Sequence, residues 1–118
     1  MDATMETISG WLKTEAGKII EERVARYASI MGVNYAGVEM SEAKGRWGSC
    51  RSKDSLNFAW RLVLAPLGII DYVVVHELSH ITYKNHSHQF WARVKTVLPN
   101  YKKQQDWLKA NRRLMEII

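Results

Sequence analysis

The chain has 118 residues and a mass of 13.7 kDa, with 47% apolar and 25% charged residues, the balance of one soluble globular domain spanning 1–118. Its longest apolar run, Leu62 to Ile70, is far short of the roughly 18–20 residues of a membrane span, and the first twenty residues hold no apolar block of a secretory signal. Cys50 is the single cysteine, so a disulfide-stapled scaffold is excluded and a reducing, cytoplasmic setting is expected. The net charge of +5 is uneven: residues 1–59 hold eight basic and eight acidic side chains, residues 60–118 nine and four. A basic second half reads as a solvated helix face, or as a surface for nucleic acid or an acidic substrate.

Residues 4–31 read as one long helix with the apolar stripe Ile8, Leu12, Ala16, Ile19, Val24, Tyr27 and Met31. Gly10 and Gly17 weaken it, and Gly32 supplies a C-terminal stop. Residues 33–59 change period. Val38 and Met40 alternate around Glu39, and Trp47, Leu56 and Phe58 come in short bursts, so two or three short antiparallel strands are expected, with a hairpin near 51–55.

Pro66 suits a helix start, and the apolar stretch to about Lys84 reads as a buried helix, although Val73-Val74-Val75 would suit a strand by propensity. Ser87 can cap a helix from His88 to Leu98 with the stripe Phe90, Val94, Val97 and Leu98. Pro99-Asn100 breaks it, and a last helix is expected from Tyr101 to Leu114. The fold class is therefore α+β: a long N-terminal helix, a small sheet of about three short strands, a buried central helix and C-terminal helices.

Within the buried helix stands His76-Glu77-Leu78-Ser79-His80. Positions i and i+4 share one helix face, so His76 and His80 can hold one Zn²⁺. Glu77 lies about 100° round the helix and can act on a water without binding the metal itself. With four His and eight Glu in the chain, a chance match to this pentapeptide is expected about 1% of the time. A catalytic zinc usually has three protein ligands, and His86 is the candidate for the third. A straight helix would carry His86 off the face, so the helix must end near Asn85, whose tolerance of left-handed backbone makes it a plausible pivot. His88 or a distant carboxylate, Asp106 or Glu116, are the other readings of the third ligand. Hydrogen-bonded core histidines and a purely structural zinc are the alternatives to a catalytic site; the latter is usually four-coordinate and rich in thiolate.

These residues, with Asn85-His86-Ser87 and Phe90-Trp91 after them, resemble the YgjP-like zinc metallopeptidases, relatives of the SprT/Spartan and Wss-type zincin proteases. Arg46-Trp47-Gly48-Ser49-Cys50, Leu56-Asn57, Arg61 to Pro66, Ile70 to Val75, Leu98-Pro99 and Trp107-Leu108 extend the resemblance over about residues 40–118. The resemblance implies a minimal zincin-like core, an edge strand that holds an extended peptide or protein substrate, Zn²⁺ on His76, His80 and His86, and Glu77 as general base. Two departures stand out. Family members are generally about twice this length with a β-rich N-terminal region, and Tyr83 occupies the place of the metzincin turn glycine.

Other residues carry weaker signals. Tyr72, Tyr83 and His88 are candidate oxyanion donors, and Tyr83, His88 and Asn57 candidate substrate contacts, Asn57 from an edge strand. Cys50 reads as a free thiol or as a latency ligand for the metal. Trp47, Trp60, Trp91 and Trp107 read as packing, and Arg46 and Arg61 as salt-bridge partners or as binders of a substrate carboxylate or phosphate. The SprT-like relatives act on proteins crosslinked to DNA, so Lys102, Lys103, Lys109, Arg112 and Arg113 raise weak nucleic-acid contact, although no stacking platform or helix-turn-helix pattern accompanies them. A zinc hydrolase of nucleotide pyrophosphates and a non-catalytic zinc or nucleic-acid module are the competing functions.

Overall fold

The computed structural model describes residues 3–44 and 46–113, with side chains described from residue 7 onward. Among these residues are four α-helices and a three-stranded sheet, the sheet packed on α1 and α2 and the last two helices on α2: α1 (Ala3–Met31), β1 (Gly37–Ser41), β2 (Gly48–Cys50), β3 (Ser55–Ala59), α2 (Leu67–Thr82), α3 (His88–Val97) and α4 (Tyr101–Ala110). The class is α+β, as the residue patterns imply. The expected end of the last helix, Leu114, lies outside the described residues.

The buried stripe of α1 is Ala16, Ile20, Val24, Ala28 and Met31. Steps of four and three residues keep these side chains on one face. Ile19 and Tyr27, expected on the stripe, flank it half-buried, and Ile8 is exposed. Gly32 ends the helix at φ 68°, with Val33 N–H donating to Ala28 O and Gly32 N–H to Ser29 O, the paired bonds of a Schellman stop.

The sheet is mixed rather than antiparallel. Its order is β1-β3-β2. β3 runs parallel to β1, with Val38 opposite Leu56 and Met40 opposite Phe58, and antiparallel to β2, with Gly48 opposite Phe58. The expected hairpin joins β2 to β3, closed by Arg51 N–H to Ser55 O at 2.8 Å. The correction has a simple cause. The chain runs up, down and up, and the last strand inserts between the first two instead of lying outside them. β3 is buried from Leu56 to Ala59 on both faces, so it takes the centre, whereas Gly48-Ser49-Cys50 offers little apolar surface and takes an edge.

Pro66 sits just before α2, and its carbonyl accepts from Ile69 and Ile70. The helix is buried nearly all round: Ile69 to Val75 are covered by α1, the sheet and the later helices, as are Glu77, Leu78 and Ser79. A helix apolar on every side is a central one. Its one acidic residue in that stretch, Asp71, is held from α1. Arg23 makes a bidentate pair with it at 2.7 and 2.8 Å, and Tyr27 adds a hydrogen bond at 3.1 Å. The Asp71 carboxylate beside Arg23 raises the guanidinium above its ordinary value, and burial raises the Tyr27 phenol.

The loop after β1 is tied down. Glu42 accepts from the Trp60 indole at 3.0 Å and pairs with Lys13 at 2.6 Å, and buried Arg61 donates to the Glu42 carbonyl and stacks on Trp60. Arg61 thus serves the fold. Trp60 is fully buried, while Trp47, Trp91 and Trp107 are half-buried against the core. Among the described residues no helix is long and apolar enough to cross a membrane.

Candidate metal centre

His76 and His80 project from the same face of α2, one turn apart, and their ring centroids are 5.0 Å apart. The helix ends at Thr82. Tyr83 adopts extended angles, φ −120° and ψ 105°, and a turn with Ser87 N–H donating to Asn85 O swings the chain back. Asn85 is not left-handed; among the described residues only Lys53, Asp54 and Gly32 have positive φ. With the helix ended at Thr82, the chain bends at Lys84 and Asn85, so the reversal falls near Asn85 as expected, but it is made without a left-handed residue or a glycine. Ser87 then caps α3 by accepting from Phe90 N–H at 3.2 Å.

The reversal places His86 Nε2 3.0 Å from His80 Nε2. For comparison, two nitrogens bound to one tetrahedral zinc at about 2.0–2.1 Å lie about 3.3 Å apart. The donor atoms of His76, His80 and His86 all fall within 4.8 Å of one another. The other ring nitrogens are engaged: His80 Nδ1 lies 3.0 Å from the Tyr83 carbonyl, and His76 Nδ1 3.0 Å from Glu77 Oε2. A carbonyl can only accept, so His80 carries its proton on Nδ1 and leaves Nε2 free to bind a metal. The carboxylate of Glu77 gives His76 the same polarity. The three imidazoles therefore fit a metal with one position left open, and the group contains no thiolate.

Aromatic rings lock this arrangement. Phe90 packs on His80 at 4.5 Å, Trp91 stacks on His86 at 5.6 Å and 27°, and Tyr101 stacks on Trp91 from behind. Phe90 and Trp91, expected as ordinary packing, also set the imidazole planes. Burial, followed by the nearness of His76 and His80, lowers the His86 pKa, which favours the neutral imidazole that a metal would need.

Glu77 is buried, and β2 passes close over it. A Cβ at Gly48 would meet Phe58 Cδ1 at 3.1 Å and Glu77 Cγ at 3.2 Å. Glycine at 48 is thus what lets the edge strand approach the helix at this carboxylate. Two hollows meet there, and Gly48, His76 and Glu77 line both.

The weaker candidates disperse. His88 is exposed on α3 and outside the histidine group, and Asp106 is exposed on α4; Glu116 lies outside the described residues. Asn57 is buried on the central strand, opposite Ser49 and Glu39, so it does not offer a peptide an edge as expected. Tyr83 contributes its carbonyl, to His80. Of the three candidate oxyanion donors, Tyr72 borders the hollow beside Gly48; burial pushes its phenol up to about 12, and its hydroxyl meets Gln105. Cys50 is a half-buried free thiol whose Sγ points to Arg51 O at 3.8 Å, and burial raises its pKa. It lines the larger hollow but is not among the grouped donors. Lys102, Lys103, Lys109, Arg112 and Arg113 are exposed on and after α4.

No curated protein sequence matches the chain. Two solved structures share the fold. The metallopeptidase zymogen abylysin of Pyrococcus abyssi has 20% identity and a TM-score of 0.70, over 77% of this chain and 92% of that one. The metallopeptidase zymogen jannalysin of Methanocaldococcus jannaschii also has 20% identity, with a TM-score of 0.67 over 80% of this chain and 96% of that one. The family model for the YgjP-like metallopeptidase domain matches residues 2–111. The chain belongs to the YgjP-like metallopeptidase family.

Proposed function

We propose that the protein is a zinc-dependent peptidase in which His76, His80 and His86 hold the metal and Glu77 is the general base. The observation that carries this reading is the convergence of three imidazoles whose donor atoms lie within 4.8 Å, with the buried Glu77 carboxylate against the first of them. Three neutral nitrogen ligands suit zinc, and their number leaves a position for water and substrate. When bound, Zn²⁺ supplies a Lewis acid and lowers the pKa of the attacking water toward about 7.

The chain's own residues do the rest. Glu77 Oε accepts the proton of the attacking water and passes it to the leaving amine nitrogen as the peptide C–N bond breaks. Its close contact with Gly48 fixes its place beside the hollows from which water and substrate would reach it. Tyr83 O and Phe90 hold the His80 ring, and Trp91 the His86 ring, so the ligands need little rearrangement on binding. The outer edge of β2 offers backbone groups to an extended peptide.

Glu77→Gln is the direct test. It keeps the shape and the three ligands but removes the base. Peptide hydrolysis by the zinc-loaded variant should fall by about 10²–10⁴-fold while zinc content stays at the wild-type level. Wild-type turnover in this variant would remove Glu77 from the chemistry.

A further inference from the structure

The two hollows at the metal centre differ in chemistry. The larger, about 540 Å³, extends along β2 past Cys50 to Arg51, Ser52 and Lys84. Arg51 is exposed, and Lys84 pairs across 3.2 Å with Asp54 at the hairpin tip. Lys84 is mostly exposed and Asp54 partly so, so the pair is weak and open to exchange with an incoming carboxylate. The smaller, about 240 Å³, lies on the other side of Gly48, between α2, α4 and the start of β2. Trp47, Tyr72, Val73 and Leu108 give it apolar walls, and Arg46 stands at its exposed mouth.

The hollows share Gly48, His76 and Glu77, so the bond acted on lies between them. β2 is an edge strand, and antiparallel pairing is the more stable way to add a peptide to it. A peptide bound that way runs from the Arg51 end toward the Trp47 end. Residues before the cut bond then face Arg51 and Lys84, and the residue after it faces the apolar hollow.

We propose that the protein selects peptides with an acidic residue shortly before the cut bond and a large apolar residue directly after it. Arg51 and Lys84 read the first, and Trp47, Val73 and Leu108 the second. This names the substrate class of the peptidase reading above and rests on it. Asp54 serves as the internal stand-in for the acidic group, covering Lys84 until a substrate carboxylate replaces it.

The test uses the zinc-loaded full chain and a degenerate peptide mixture, with cut sites mapped by mass spectrometry and Glu77→Gln as the blank. Leu, Met or Phe after the cut should exceed Ala by about 10-fold or more, the scale of selectivity in an apolar pocket. Asp or Glu should exceed Lys or Arg before the cut by several-fold at low salt, and this preference should shrink at 0.5 M salt, where the Debye length is only a few Å. Arg51→Glu, at an exposed position, should invert the acidic preference and keep the apolar one. Leu108→Trp should fill the hollow and shift the following residue toward Ala and Gly. Cleavage without these preferences, the reverse order of acidic and apolar residues, or an acidic preference unchanged by Arg51→Glu would each overturn the proposal while leaving a peptidase. No cleavage above the blank would overturn the peptidase reading itself, and this proposal with it.

Discussion

The two long helices of this molecule solve different problems. α1 spans 29 residues and buries one narrow stripe; α2 spans 16 and is buried almost all round. α1 tolerates two interior glycines with nothing within 4 Å of the Cβ each lacks. α2 carries Asp71 and Glu77 inside the protein, and each needs a partner brought from elsewhere or close at hand. The contrast teaches that α1 is scaffold, whose side chains act by holding α2, whereas a change at α2 or at the strand over it reaches the site directly.

The largest expected effect comes where the two helices are tied. Asp71→Ala leaves the Arg23 guanidinium and the Tyr27 hydroxyl without their acceptor in a largely buried place, a loss of about 3 kcal/mol. Thermal or urea unfolding should show it. A stability change below about 1 kcal/mol would mean α2 is held by apolar packing alone.

A smaller effect is expected over the site. Gly48→Ala puts a methyl group against Phe58 and Glu77. Kinetics should show kcat/KM falling about 10–100-fold, the cost of displacing a reacting group by a fraction of an ångström to an ångström, with zinc content kept. Unchanged kcat/KM would show that the strand shifts and the carboxylate does not. The smallest effect separates scaffold from site. Gly17→Ala fills open space in α1 and should raise stability by about 0.5–1 kcal/mol in a urea titration, with kcat/KM unchanged. A loss of stability would mean α1 is more tightly packed at Gly17 than its surroundings allow.

The sequence pattern carried α2 well, because its length and continuous apolar content suit a central helix. Ser87, Gly32 and the 51–55 turn were equally legible, since capping and turn chemistry are local. The parallel pairing of β1 with β3 was not, because strand order depends on which strand the core covers on both faces, a non-local matter. The stripe on α1 was misread by one residue at Ile19 and Tyr27, where half-buried flanking side chains are as apolar as Ile20 and Ala28. His86 was legible as a nearby third histidine and its return near Asn85 as well, but not the backbone that makes it, which bends at Lys84 and Asn85 without a left-handed residue. Tyr83 acts there through its backbone conformation and carbonyl, which leave no mark in side-chain chemistry. The same is true of Gly48, whose contribution is the absence of a side chain near Glu77.

The central claim is the three-histidine centre, and metal content tests it most directly. Zinc per chain should be measured by elemental analysis after reconstitution, on wild type and on His86→Ala in parallel. The account predicts one zinc per wild-type chain and its loss or marked weakening in the variant. Zinc retained at full stoichiometry and affinity in His86→Ala would contradict it and place the third ligand elsewhere.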